Sequence, residues 1–295
     1  EDARALAATG QAAFELLLLD AVKAQLHGAN PDGLVLTGGC ALNVVANERV
    51  RASLGMPVHV PPAPNDAGIP VGALWSVLPQ SEAHTPFVGT NLVHDVDTRT
   101  LQSRGAREAG IHEIASLVHM GAIVGIAHGK AELGPRALGH RSIVARPDRT
   151  ELRDRINRRI KSREWYRPVA PAILASAAAR FFYQVPHSPY MSFAARVRDA
   201  AKAHLAGAVH VDGTARVQTV DDPNSLMGSL LVALADMGAA PCVLNTSFNI
   251  RSCPLLNKAS AALEALDATD LDFAWVNGWL VPRDAEVCRR FKEGL

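Results

Sequence analysis

The residues best suited to chemistry are the run Glu132-Leu133-Gly134-Pro135-Arg136-Ala137-Leu138-Gly139-His140-Arg141-Ser142, read with Lys161-Ser162-Arg163-Glu164-Trp165-Tyr166-Arg167-Pro168. Arg136, Arg141, Lys161, Arg163 and Arg167 stand there beside glycines, a proline and a hydroxyl. Guanidinium forks donate in pairs to phosphate oxygens, and glycine lets backbone amides approach the same oxygens. The pattern predicts a site for a polyanion.

Neutral donors and acceptors accompany the cations. Ser142, Asn245, Ser247 and Asn249 suit a small amide or a ribose. Tyr190-Met191-Ser192 reads equally as a core strand or as backbone contacts to a base through Met191. Gly129-Lys130-Ala131 is not a phosphate loop of the Walker type, since no Ser or Thr follows the lysine. Arg153, Arg155, Arg158 and Arg159 lie on a polar helix and are expected to form a solvated face. Cys40 has no His or acid near it in sequence and is expected to pack as a small residue.

These residues need elements to hold them. Residues 1–30 read as a helix, with Leu6, Phe14, Leu17, Leu18 and Val22 expected on its buried face. Leu34-Val35-Leu36 then runs into Thr37-Gly38-Gly39-Cys40-Ala41-Leu42-Asn43 and a helix to about Leu54. Strand, glycine turn and helix in that order put free amides at a helix N-terminus, so Gly38, Gly39 and Asn43 are candidates for nucleotide contact. Val58-His59-Val60 reads as a strand, and Asn65-Asp66-Ala67-Gly68 opens another helix. From about Leu78 to Arg104 the periodicity fades, which suits a connector. A second α/β pattern follows, with strands expected at 122–127, 169–174, 191–197, 215–220, 241–244 and 273–276 and helices near 111–119, 150–159, 225–237 and 259–266.

Composition sets the outer limits. A chain of 295 residues with 48% hydrophobic and 20% charged content is globular and long enough for two domains. Net charge of +1 gives no field for bulk nucleic acid, so the basic residues act locally. Four cysteines without C-x-x-C spacing predict reduced thiols rather than a disulfide frame or zinc site. No apolar run reads as long enough to span a bilayer and no secretory leader opens the sequence, so a cytoplasmic setting is expected, without membrane or nucleic-acid partners. The start at Glu1, directly into a helical pattern, suggests part of something longer.

Three stretches carry a resemblance. His128 to Leu174, Val211-Asp212-Gly213-Thr214-Ala215-Arg216-Val217-Gln218 and Leu244-Asn245-Thr246-Ser247-Phe248-Asn249 resemble the C-terminal part of the nodulation-type and antibiotic O-carbamoyltransferases. Thr37 to Asn43 and Pro61 to Gly72 resemble the latter part of that family's first domain. The resemblance implies a partial actin-like nucleotide-binding lobe over 1–80, a linker over 81–110 and a YrdC-like α/β domain over 111–295. It implies that carbamoyl phosphate and Mg-ATP form carbamoyl-adenylate in the second domain, and that the first passes the carbamoyl group to a hydroxyl of a small natural product. It assigns Arg136, Lys161, Arg167 and Arg216 to the phosphates as catalytic groups, with Arg141, Arg163, Gln218 and Arg251 as further ligand contacts.

The resemblance also implies a metal, iron in the family, held by two histidines in H-x-x-x-H and an aspartate aligned with Asp66. No histidine here is followed by another four residues on. Iron is therefore expected only with an N-terminal half supplied, from a further polypeptide or a second copy. Where the family has Arg-Gly-Glu-Pro, this chain has Arg251-Ser252-Cys253-Pro254. Two alternatives remain at this point: a non-catalytic or half-catalytic nucleotide-binding subunit that completes a partner, and threonylcarbamoyl-type tRNA modification, which the balanced charge disfavours.

Overall fold

A computed structural model describes residues 2–78, 85–250 and 253–292. The fold is mixed α/β. Its N-terminal part runs α1 (Asp2–Leu26), β1 (Leu34–Val35), α2 (Val44–Leu54), β2 (Val58–His59) and α3 (Ile69–Val77). The larger part follows with α4 (Thr98–Ser103), β3 (Arg107–Glu108), α5 (Ile111–His119), β4 (Val124–Ala127), β5 (Arg141–Ala145), α6 (Thr150–Arg155), β6 (Ala170–Leu174) and α7 (Ala175–Ala178). It closes with β7 (Phe193–Arg196), β8 (Thr214–Val220), α8 (Leu226–Asp236), β9 (Cys242–Ser247), α9 (Ala259–Ala268), β10 (Phe273–Val276), β11 (Trp279–Pro282) and α10 (Ala285–Arg290).

One mixed sheet organises the larger part, in the order β3-β11-β10-β4-β5-β9-β6-β8-β7. The pairs β4–β10 and β6–β8 are parallel and the other pairs are antiparallel. Successive side chains alternate between two buried layers, as the pleat requires. Ile143, Leu244, Val217 and Ala274 enter one layer with α9, while Val144, Val243, Val124 and Ile126 enter the other with α5 and α8. Caps fix the helix starts: the side chains of Asn43, Asp97, Ser225 and Asp284 accept backbone N–H bonds at α2, α4, α8 and α10. Asn277 and Gly278, both at positive φ, turn β10 into β11.

Much of the stretch read as a connector is built into this body. Leu92 and Leu101 are buried in its core, β3 pairs with β11, and the Leu133 N–H donates to the Pro86 carbonyl at 2.7 Å. The polar helix is not simply solvated either. Arg155 grips the fully buried carboxylate of Asp272 at 2.9 Å, which also accepts the Ile123 N–H and a guanidinium bond from Arg290.

The N-terminal part has little core of its own. Ala41, Val58 and Val60 cluster with Phe193 of the larger part, and Asn47 donates to the Ala41 and Ser192 carbonyls at 2.7 and 3.0 Å. The expected buried face of α1 is not covered: Leu6 is 73% and Leu17 70% exposed, and among the described residues Leu19 alone on this helix is buried. Helix α3 has no buried residue, with Ile69, Leu74 and Val77 outward. By length and composition α1 is also apolar enough to cross a membrane, which the reading of short apolar runs did not anticipate. Its polar contacts tie it to α2 instead, through Glu15 to Arg49 at 3.1 Å and Gln11 to Asn43.

Candidate functional site

The cations gather at one end of the sheet. Beyond α6 the helix widens into a π turn over Ile156–Ile160, followed by Ser162 at φ 45°. Buried Asn157 shapes the loop after it, donating to the Trp165 and Arg167 carbonyls at 3.1 and 2.8 Å and accepting from Arg163 Nε at 2.7 Å. That loop and the exit of β9 enclose an open cleft of about 430 Å³ lined by Lys161, Arg163, Glu164, Arg167, Ser247 and Asn249. Lys161 Nζ donates to the Ser247 carbonyl at 2.9 Å and to the Asn249 carbonyl at 2.8 Å, and also reaches both side-chain oxygens.

Arg216, on β8, lies near enough to Arg136 and Arg163 to feel both charges. Burial first, then those two charges, holds its guanidinium below the ordinary arginine range. Arg163 is lowered by burial and by Arg167, and Lys161 is pushed down to about 8 by burial and by Arg163. Glu164 is the acid that bears on Arg163 among the described residues, and it is already paired with Arg167 at 2.7 Å. Buried Arg163 Nη2, Arg216 Nε, Ser142 Oγ and Asn245 Oδ1 have no hydrogen-bond partner among the described residues. Like charges crowded with Glu164 alone as counter-charge among the described residues, beside unpartnered polar atoms, make a site that an anion would relieve.

The neutral residues are placed by strand register. Ser142 lies opposite Ser247 across β5 and β9. Asn245 Nδ2 donates to Gln218 Oε1 at 2.7 Å and to the Ala137 carbonyl at 3.0 Å, while Gln218 Nε2 donates to the Leu138 carbonyl at 3.1 Å. Both amides therefore hold the 132–141 loop. Arg136 leaves that loop into a small cavity shared with Ala41, Leu42, Pro61, Pro62, Pro64 and Tyr190, at the junction with the N-terminal part. Met191, at φ 58°, lines the same cavity.

Several candidates have other employment. Arg141 is fully buried, and all five guanidinium N–H groups are taken by the carbonyls of His128, Gly129, His140 and Leu256 and by Asn257 Oδ1, leaving none for a ligand. Asn43 caps α2 and pairs with Gln11. Gly38 and Gly39 form an exposed turn beside the Arg136 cavity, and the Gly38 N–H donates to the Pro64 carbonyl at 2.7 Å. Asp66 is exposed, and among the described residues no group of three His, Cys, Asp or Glu could hold a metal ion. The residues present do not make an iron site. Arg251 lies outside the described residues, as does Ser252. Sequence reasoning missed Asn157, whose signal is a polar residue on the buried, Ile156–Ile160 side of a helix end. A groove of about 700 Å³ between Gly33–Val35, Arg51–His59 and Gln184–His187 shares no lining residue with the Lys161 cleft.

Comparison with known proteins identifies the family. The family described as Carbamoyltransferase C-terminus matches residues 115–283, and that described as Carbamoyltransferase N-terminus matches residues 1–75. The chain is 35% identical to nodulation protein NolO of Bradyrhizobium diazoefficiens over 94% of its own length and 54% of that protein's. It is 34% identical to nodulation protein U of Rhizobium tropici, over 92% of this chain and 48% of the relative. The chain belongs to the carbamoyltransferase family, of the nodulation-protein type. It spans about half the length of the curated relatives it matches.

Proposed function

We propose that this chain carries the carbamoyl-activating half of an ATP-dependent O-carbamoyltransferase. In this reading water cleaves carbamoyl phosphate to carbamate and inorganic phosphate, a carbamate oxygen then attacks the α-phosphorus of Mg-ATP, and pyrophosphate leaves. The carbamoyl-adenylate then passes its carbamoyl group to a hydroxyl of a small natural product, releasing AMP. Negative charge builds on phosphate oxygens throughout, so fixed cations in a water-poor cleft are the main requirement.

The observation that carries the reading is the crowded set Arg136, Lys161, Arg163 and Arg216. Lys161, Arg163 and Arg167 would meet the outer phosphates, Arg136 and Arg216 the reacting end. Ser142 Oγ, Asn245 Oδ1, Ser247 and Asn249 would hold the carbamoyl amide or ribose. Gly38, Gly39 and the backbone at Met191 would meet the nucleotide from the N-terminal side. Free cysteines and substrates made inside the cell favour a cytoplasmic setting.

The fold is proposed as the end of an actin-like lobe, to about residue 80, joined to a YrdC-like domain. The exposed apolar side chains of α1 and α3 favour a first lobe completed by the sequence that the relatives have beyond the matched half. A metal held partly by Asp66 would need ligands from that sequence, and no step here is routed through one. Carbamoyl-phosphate-dependent ATP–pyrophosphate exchange is the test. The chain should catalyse it; no exchange, and no calorimetric heat with millimolar Mg-ATP, would overturn the reading.

A further inference from the structure

We infer that Glu132 is the positioning residue of the phosphate site, a built-in anion around which the Arg136 loop is folded. The inference rests on the phosphate-binding reading proposed above. Glu132 is buried, and its Oε1 accepts four consecutive backbone N–H groups, from Leu138 at 2.7 Å, Gly139 at 3.0 Å, His140 at 2.8 Å and Arg141 at 3.1 Å. Convergent amides of this kind form an anion nest. Here the chain fills the nest itself, so a bound phosphate must be held by side chains.

Everything the loop presents depends on that pivot. Its carbonyls at Ala137 and Leu138 receive Asn245 and Gln218, and Arg136 departs from it toward Arg216. Burial lowers both Arg141 and His140, and the carboxylate beside them offsets part of that effect. Two glycines at positive φ let the chain curl so closely: Gly134 at 98° and Gly139 at 136°. Glu132 touches no ligand in this arrangement; it acts through the course of the backbone.

Glu132 Oε2 is buried without a hydrogen-bond partner among the described residues. A glutamine can therefore place its carbonyl oxygen among the four amides and its NH2 where no partner is lost. Alanine leaves four buried donors unpaired. The test is calorimetric titration with inorganic pyrophosphate, together with amide hydrogen exchange of residues 138–141 in the unliganded protein. Glu132→Ala should bind pyrophosphate about tenfold more weakly or worse, expose those amides and recover in part with added formate, while Glu132→Gln should stay within about threefold of wild type.

Wild-type affinity in Glu132→Ala with the amides still protected would overturn the inference, as would failure of Glu132→Gln alongside Glu132→Ala. Should Glu132→Ala not fold, Glu132→Asp decides: its shortened carboxylate must drag the loop and weaken binding, and unchanged binding overturns the idea. Should wild type itself ignore pyrophosphate, the functional reading fails, and the exchange of the 138–141 amides still decides the role of Glu132.

Discussion

Gln218 and Asn245 stand on β8 and β9 with β6 between them, yet their side chains meet at 2.7 Å. Ala170, beside Asn245, and Ala172, beside Gln218, leave the room for that bridge. The bridge holds the loop that delivers Arg136. Asn245→Ala should cost about 1–3 kcal/mol of stability, since it strips partners from buried Gln218 and the Ala137 carbonyl. It should also weaken pyrophosphate binding. Urea denaturation and calorimetry on the same variant check both, and loss of stability with intact binding would separate the bridge from the site.

Arg216 should trade stability against function. It is a half-buried cation within reach of the charges of two others, so Arg216→Met is expected to leave the melting temperature unchanged or raised. Pyrophosphate exchange should fall by about 10²–10³-fold. A large drop in melting temperature would mean that the guanidinium stabilises the unliganded fold.

Lys161 gives the pH dependence. Its folded pKa of about 8 lies below the ordinary 10.5, so the folded chain releases a proton that the unfolded chain keeps. Its contribution to stability should therefore rise as pH climbs from about 8 to 10.5. Anion affinity runs the other way, falling as pH passes 8 because the ammonium is lost. Lys161→Met should flatten both profiles; an unchanged profile would place the titration elsewhere.

Arg141→Lys should be far more damaging than its conserved charge suggests. An ammonium cannot serve five acceptors arranged for a planar fork. Destabilisation of about 3–5 kcal/mol is expected by denaturant titration, with exchange activity per folded molecule largely kept.

Purified alone, the chain should lack stoichiometric iron and fail to carbamoylate a free acceptor. Adding a polypeptide equivalent to the unmatched half of the relatives should restore both and slow hydrogen exchange in α1 and α3. Metal analysis, an acceptor assay and exchange mass spectrometry check this. Transfer by the chain alone would mean that the exposed helices need no cover.

Strands with dense apolar runs were legible in sequence, as at β4, β6, β8 and β10, because burial on both faces leaves no other reading for short β-branched stretches. The cation cluster was legible too, through residue type alone. The role of Arg141 was not, because a guanidinium serving carbonyls and one serving phosphate look alike in sequence. Glu132 hid for the converse reason: its partners are backbone amides, which carry no letter. Strand β11 was signalled by Asn277-Gly278 yet passed over, since a single closing strand already satisfied the pattern. The burial of α1 was over-read, because apolar spacing records what a helix is built to meet and not whether the partner surface lies in the same chain.

At Gly134 there is no room for a side chain: a Cβ there would stand 2.0 Å from the carbonyl oxygen of Pro62. The Arg136 loop and the proline segment of the N-terminal part are thus wedged backbone to backbone, and Pro64 is in turn latched to the Gly38 turn. Any tilt of the N-terminal part against the sheet must carry the arginine with it. The joint is a rigid stop, since the two backbones leave no slack between the proline segment and the turn that starts the arginine loop.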